Sequence, residues 1–183
     1  MPTARALQLL PTLLIISGRH ALYGEYSDKV MAILHGISPL VEEVSIDEAF
    51  IDVTDMVEEA ELIARMLQSQ IDMQVGLPCS IGVASNKLVA KIANDYGKGA
   101  KRGSQAPRAI TVVPAGEEAA FLAPLKIQMV WGVGPKSAER LYALGIKTIG
   151  DVARMPESEL VQLFGKYGAE MHAHARGIDN SPI

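Results

Sequence analysis

The chain has 183 residues, 49% of them hydrophobic and 21% charged, a composition that fits one or two globular domains and excludes a disordered or fibrous protein. No run approaches the roughly 20 apolar residues that a membrane span needs, and the one cysteine, Cys79, cannot form an internal disulfide, so we expect a cytoplasmic protein without membrane contacts. The formal net charge of −4 argues against a strong nucleic-acid binder that acts through this segment alone.

The N-terminal residues are predicted to form a helix, a short strand and a second helix. Residues 2–10 favour a helix, since proline is tolerated in a first turn, and Pro11 ends it. The apolar run Leu13–Ile16 predicts a strand. Over residues 23–34, apolar side chains recur at spacings of three and four, which predicts an amphipathic helix that packs on a sheet and ends near Gly36.

The middle of the chain is predicted to alternate strands and helices. Segments rich in β-branched residues predict the strands 40–46, 49–53, 79–84 and 109–113, and the helices between them are 58–70 and 86–96. Ser85 or Asn86 can cap the second of these helices. Residues 97–107 have little apolar content and predict a solvated loop.

The last third of the chain has a different pattern. From Pro114 onward, short helical segments are separated by glycine and proline, with no further strand signal. The whole order predicts an α+β fold, in which a ferredoxin-like unit with an antiparallel-rich sheet precedes a small all-helical unit.

Two adjacent carboxylates, Asp47 and Glu48, lie between the strands of the predicted hairpin. Neighbouring carboxylates repel each other, and a hard cation such as Mg²⁺ would explain the pair, because Mg²⁺ prefers oxygen ligands. Phosphoryl transfer depends on metal ions held in this way. A solvated turn is the alternative that the dipeptide alone leaves open.

The segment around this pair, SIDEAFIDVTD, resembles the palm hairpin of the Y-family translesion DNA polymerases, nearest their DNA polymerase IV branch. The resemblance implies that Asp47 and Glu48 are catalytic residues and ligands of Mg²⁺ in a two-metal site.

A second segment, CSIGVASNKLVAKIANDYGKGA, is similar to the family's strand and helix that end in a triphosphate-binding lysine. The resemblance gives that role to Lys98, although the usual Lys-Pro is Lys98-Gly99 in this chain. Two further lysines, Lys87 and Lys91, share one face of the same predicted helix and could contact phosphate, but we expect this face to be solvated.

A third segment, VWGVGPKSAERLYALGIKTIGDVA, resembles the helix-hairpin-helix of the family's thumb. Glycines let the backbone approach a ligand closely, and the proline at 135 can start a helix whose free N–H groups point at a phosphate. The predicted DNA-binding residues are Gly132, Val133, Gly134, Lys136 and Ser137. Contacts of this kind hold a duplex without reading its bases.

By position, the resemblance assigns residues 1–18 to the remainder of the fingers, 19–113 to a palm without its first strand, and 114–183 to the thumb. The implied partners are primer–template DNA and deoxynucleoside triphosphates, with a sliding clamp contacted through regions outside this chain. A palm without its first strand exposes a sheet edge, which favours self-association.

The leading hypothesis is therefore part of a low-fidelity DNA-directed DNA polymerase for translesion synthesis and DNA repair, inactive as an isolated chain. One alternative is a non-catalytic accessory protein that binds DNA through its helix-hairpin-helix. A nucleotide cyclase-like palm is a second alternative, but it leaves the thumb unexplained.

Overall fold

The computed structural model describes residues 1–100 and 108–183, except for the side chain at residue 100. Within these residues the helices are α1 Thr3–Leu9, α2 His20–Ile37, α3 Ala60–Val75, α4 Lys87–Ala100, α5 Glu118–Leu122, α6 Pro135–Ala143, α7 Ile149–Arg154, α8 Glu157–Phe164 and α9 Lys166–Ala175. The strands are β1 Val41–Ser45, β2 Glu48–Ile51, β3 Ile81–Val83 and β4 Ile110–Val112. None of the helices in the described ranges is long and apolar enough to cross a membrane.

The α+β class is confirmed, but the sheet differs from the antiparallel-rich one that the sequence predicted. Strands β1 and β2 form an antiparallel hairpin in which Val41 lies opposite Ile51 and Ser45 opposite Glu48. Strands β3 and β4 form a separate parallel pair, because α4 crosses over between them and returns the chain in the same direction. The described strands therefore form two small sheets instead of one.

Two local predictions were wrong. Leu13–Ile16 form no strand, and their side chains are exposed. An apolar run becomes a strand only where a neighbouring strand pairs with it, and the structure shows no such neighbour among the described residues. Residues 97–100 of the predicted loop belong to α4, whereas 101–107 lie outside the described residues.

The apolar core has two parts. The smaller part packs α2 on α3 through Met31, Leu34, Ile63 and Leu67. The larger part unites one face of α4 with the helices of the last third of the chain. Its α4 members are Leu88, Val89, Ile92 and Ala93, and its largest buried members beyond α4 are Leu122, Ile127, Leu141, Ile149, Leu160 and Met171. Helix α4 is thus built into the core of the C-terminal helices while it also packs on β3.

Candidate active site

The two carboxylates of the acidic pair occupy different positions at the tip of the hairpin. Ile46 and Asp47 form the turn, and Glu48 is the first residue of β2. The Asp47 side chain is exposed, and its Oδ1 accepts a hydrogen bond of 2.8 Å from the Ser45 hydroxyl. The hairpin therefore presents the Asp47 carboxylate to solvent, whereas Glu48 is half-buried.

Glu48 is paired with Lys91 of α4. The Lys91 ammonium donates to both carboxylate oxygens, at 3.0 and 3.1 Å. About a fifth of the Lys91 side chain is exposed, so the prediction that this lysine is solvated was wrong. The error has a simple cause: lysine spacing defines a helix face, but only the tertiary structure shows that this face is turned toward the hairpin.

Lys87 makes a second link of the same kind, one helical turn earlier. Its ammonium donates to Glu42 Oε2 on β1 at 2.6 Å, and 11% of the side chain is exposed. Its predicted solvation was therefore also wrong. Charged side chains are seldom buried without a partner, and the two acids of the hairpin supply those partners.

A cavity of about 840 Å³ lies beside the acidic pair. Asp47, Glu48, Lys91 and Lys98 all line it, together with apolar side chains from α2 and from both sheets. Lys98 is exposed and lies in the last turn of α4, where the following residue, Gly99, is still helical. The cavity thus brings two predicted carboxylates and the predicted phosphate-binding lysine to one space.

The donor set suits a hard cation. Within the described ranges, no three His, Cys, Asp or Glu side chains come together as a metal site. Mg²⁺, however, is commonly held by one or two carboxylates, with water and substrate phosphates completing six ligands. Among the described residues, Asp47 and Glu48 are the two carboxylates of the cavity that could do this.

The predicted DNA-binding hairpin also has a defined geometry. Gly132 has a φ of +89°, which favours glycine, and a Cβ there would lie 2.6 Å from the Tyr167 hydroxyl. Pro135 occupies the first turn of α6, as predicted. Gly132, Gly134 and Lys136 are exposed and Ser137 is half-buried, whereas Val133 is buried and its N–H donates to the Val130 carbonyl at 3.0 Å.

Helix α7 begins at a turn that is held by Asp151. Asp151 accepts hydrogen bonds from the backbone N–H groups of Lys147 and Thr148, at 2.9 and 2.8 Å, and Thr148 in turn accepts from the Asp151 N–H in a capping box. These donors lower the pKa of the Asp151 carboxyl to about 2. The turn therefore fixes the start of α7.

Comparison with known proteins identifies the family. Residues 1–95 match the impB/mucB/samB family, and residues 130–179 match the thumb domain of DNA polymerase iota. The chain belongs to the impB/mucB/samB family. The resemblance to Y-family polymerases is thereby confirmed.

Curated relatives of this chain carry the name DNA polymerase IV. That of Desulfatibacillum aliphaticivorans is 42% identical over 186 residues, which cover 100% of this chain and 45% of the relative. That of Streptococcus mutans is 39% identical, with 100% and 48% covered. The chain therefore spans about half the length of these relatives.

Solved structures of DinB and Dbh DNA polymerases share the fold. The crystal structure of DinB from Sulfolobus solfataricus matches with a TM-score of 0.84 and 29% identity, covering 100% of this chain and 53% of that one. An insertion ternary complex of Dbh DNA polymerase matches with a TM-score of 0.83 and 29% identity, covering 100% and 52%.

Sequence reasoning missed Lys91 and Lys87 as members of the site. The sequence offered charge as a signal, because the hairpin is acidic and the predicted helix carries these lysines. Which acid meets which lysine depends on the packing of α4, and no sequence rule gives that packing.

Proposed function

We propose that this chain is the palm- and thumb-forming part of a translesion DNA polymerase, which adds a deoxynucleotide to a primer 3′-hydroxyl. The observation that carries the proposal is the cavity in which Asp47 and Glu48 face the lysines of α4. The name DNA polymerase IV of the curated relatives and the ternary complexes of Dbh support it. The substrates are then primer–template DNA and deoxynucleoside triphosphates.

Each group of the cavity has a role in this proposal. Asp47 and Glu48 hold Mg²⁺, which when bound polarises the reacting phosphoryl group and screens its charge. Lys98 neutralises the outer phosphates of the triphosphate as a flexible point charge. Lys91 holds the Glu48 carboxylate at the base of the cavity.

The isolated chain is proposed to be inactive. Two carboxylates leave most of a metal's six positions to other ligands, and in-line transfer requires that metal and triphosphate be oriented together. Strands β2 and β3 both line the cavity without pairing to each other, which supports the need for further sequence to complete the site.

The thumb hairpin is proposed to hold the duplex through its backbone. Exposed Gly132 and Gly134, the start of α6 and the Lys136 ammonium form one surface that suits a phosphate. Binding of this kind depends on charge and is independent of base sequence.

Binding of Mn²⁺ as a paramagnetic probe tests the proposed metal site in this chain. Backbone NMR signals of residues 45–50 should broaden on titration, and Glu48→Gln should weaken the broadening. Glu43→Gln is the matched control, because Glu43 is an exposed acid on the same hairpin. If the signals of residues 45–50 do not broaden, or if they broaden equally in Glu48→Gln and Glu43→Gln, the metal site is refuted. That result would favour the non-catalytic accessory protein.

A further inference from the structure

The C-terminal segment, residues 177–182, is hydrogen-bonded to the first turn of α4. The Asn86 side-chain amide donates to the Gly177 carbonyl at 2.8 Å, and the Leu88 N–H donates to Asp179 Oδ2 at 3.1 Å. The other oxygen, Asp179 Oδ1, accepts from the backbone N–H and the hydroxyl of Ser181, at 3.0 and 2.7 Å. Both oxygens of one half-buried carboxylate are therefore occupied.

The Leu88 N–H is one of the donors that a helix leaves without an intrahelical partner at its start. Asn86 satisfies the next donor, because its Oδ1 accepts from the Val89 N–H at 3.0 Å. Asp179 thus completes the cap of α4 from a segment 91 residues away, with a negative charge at the end of the helix that favours one.

Lys87 extends this contact to the catalytic hairpin. Its ammonium donates to the Pro182 carbonyl at 2.7 Å and to Glu42 Oε2 at 2.6 Å. One half-buried lysine therefore joins the C-terminal segment to β1. We call the set Asp179, Lys87 and Glu42 the C-terminal clasp.

Lys91 follows Lys87 by one turn of α4, on the same helix face. A helix is stiff over one turn, so the position of its first turn determines where the Lys91 ammonium lies relative to Glu48. The described contacts of the α4 lysines with the hairpin are the Lys87–Glu42 pair, the Lys87 ammonium over the Phe50 ring at 5.7 Å, and the Lys91–Glu48 pair.

We infer that Asp179 is a positioning residue, which fixes the first turn of α4 and thereby the Lys91 ammonium that holds Glu48. The inference rests on the proposed function in one respect, that Glu48 is a catalytic carboxylate. The C-terminal segment that follows α9 therefore also determines how the palm site is arranged.

Variants Asp179→Ala and Asp179→Asn of this chain test the inference by NMR, without any measurement of DNA synthesis. Loss of a charge-assisted hydrogen bond should speed amide exchange of Leu88 by about tenfold or more in Asp179→Ala. The Lys91 ammonium signal, visible while the ammonium is bonded to Glu48, should weaken. Asp179→Asn keeps an oxygen acceptor and should lie between the parent and the alanine variant.

Asp151→Ala is the matched control, because Asp151 also caps a helix, α7, but has no described contact with α4. It should leave the Leu88 and Lys91 signals unchanged. If Leu88 exchange is faster in Asp179→Ala but the Lys91 signal is unaltered, Asp179 is only a local cap of α4 and the inference is overturned. An unchanged rate of Leu88 exchange would also overturn it. If the alanine variant does not fold, the same criteria apply to Asp179→Asn. A negative result leaves the proposed metal site untouched, since Mn²⁺ binding tests that site separately.

Discussion

At the scale of single residues, the site is governed by charges that neutralise one another across two elements. Without a cation nearby, the half-buried Glu48 carboxylate would cost free energy, because burial and the neighbouring charge of Asp47 both disfavour its ionised form. Lys91 supplies the cation in the structure described here. A lysine in this position also competes with a metal ion for the same oxygens.

This competition gives a prediction for Lys91→Met. Removal of a positive charge 3.0 Å from Glu48 should strengthen Mn²⁺ binding to the hairpin by at least about fivefold, because the ammonium no longer repels the ion. Titration followed by water-proton relaxation measures the affinity. Lys29→Met, which removes an exposed lysine of α2, should have no effect. Weaker binding in Lys91→Met would show that the lysine organises the metal site more than it opposes the ion.

At the scale of secondary-structure elements, α4 connects the two parts of the molecule. One face carries Leu88, Val89 and Ile92 into the core of the C-terminal helices, and the lysine face contacts the hairpin acids. Its distance from β3 depends on a glycine. A Cβ at Gly82 would lie 1.9 Å from the Ala90 carbonyl oxygen and 2.6 Å from the Asn94 backbone nitrogen.

Gly82→Ala should therefore lower the free energy of unfolding by about 2–3 kcal/mol, because the backbone of α4 must move to admit a methyl group. Gly24→Ala in α2 is the control, since a Cβ there meets nothing within 4 Å and alanine favours a helix by about 0.5–1 kcal/mol. Urea unfolding followed by circular dichroism measures both variants. Equal stability of Gly82→Ala and the parent would contradict the described contact between β3 and α4.

The thumb hairpin gives a prediction about DNA binding. Lys136→Glu should weaken binding to duplex DNA at least about tenfold at low salt and should flatten its salt dependence, because one phosphate contact is lost and a repulsive charge is added. Fluorescence anisotropy with duplexes of two unrelated sequences measures the effect, which should be equal for both. Lys29→Glu, with the same change of charge on α2, should retain most of the affinity. Equal loss in the two variants would assign the effect to net charge instead of to the hairpin.

The elements that sequence predicted well follow local rules. Asn86 caps α4 and Pro135 starts α6, because both preferences depend only on nearby backbone. Leu13–Ile16 and the lysines of α4 were mispredicted, because pairing of a strand and burial of a charge depend on residues distant in sequence. The contact of Asp179 with Leu88 bridges 91 residues and had no local signal. The roles of Asp47, Glu48, Lys98 and the thumb hairpin stay predictions, as do the domain boundaries.

At the scale of the whole molecule, β1–β2 and β3–β4 form separate sheets, and both contribute residues to the cavity. The chain spans about half the length of the curated relatives that it matches, and the site has two carboxylates where transfer needs a complete metal and triphosphate arrangement. We therefore expect the isolated chain to extend no primer, and we expect activity only when the other half of a relative is joined to it.

The most direct test is primer extension by a chimera, in which residues 1–183 replace the matching segment of the Desulfatibacillum aliphaticivorans DNA polymerase IV. We predict Mg²⁺-dependent extension by the chimera and a loss of at least about a hundredfold in Glu48→Gln, with Glu43→Gln retaining the parent rate. A chimera that folds and binds primer–template but extends nothing would contradict the polymerase function, and an unchanged rate in Glu48→Gln would contradict the catalytic role of the hairpin.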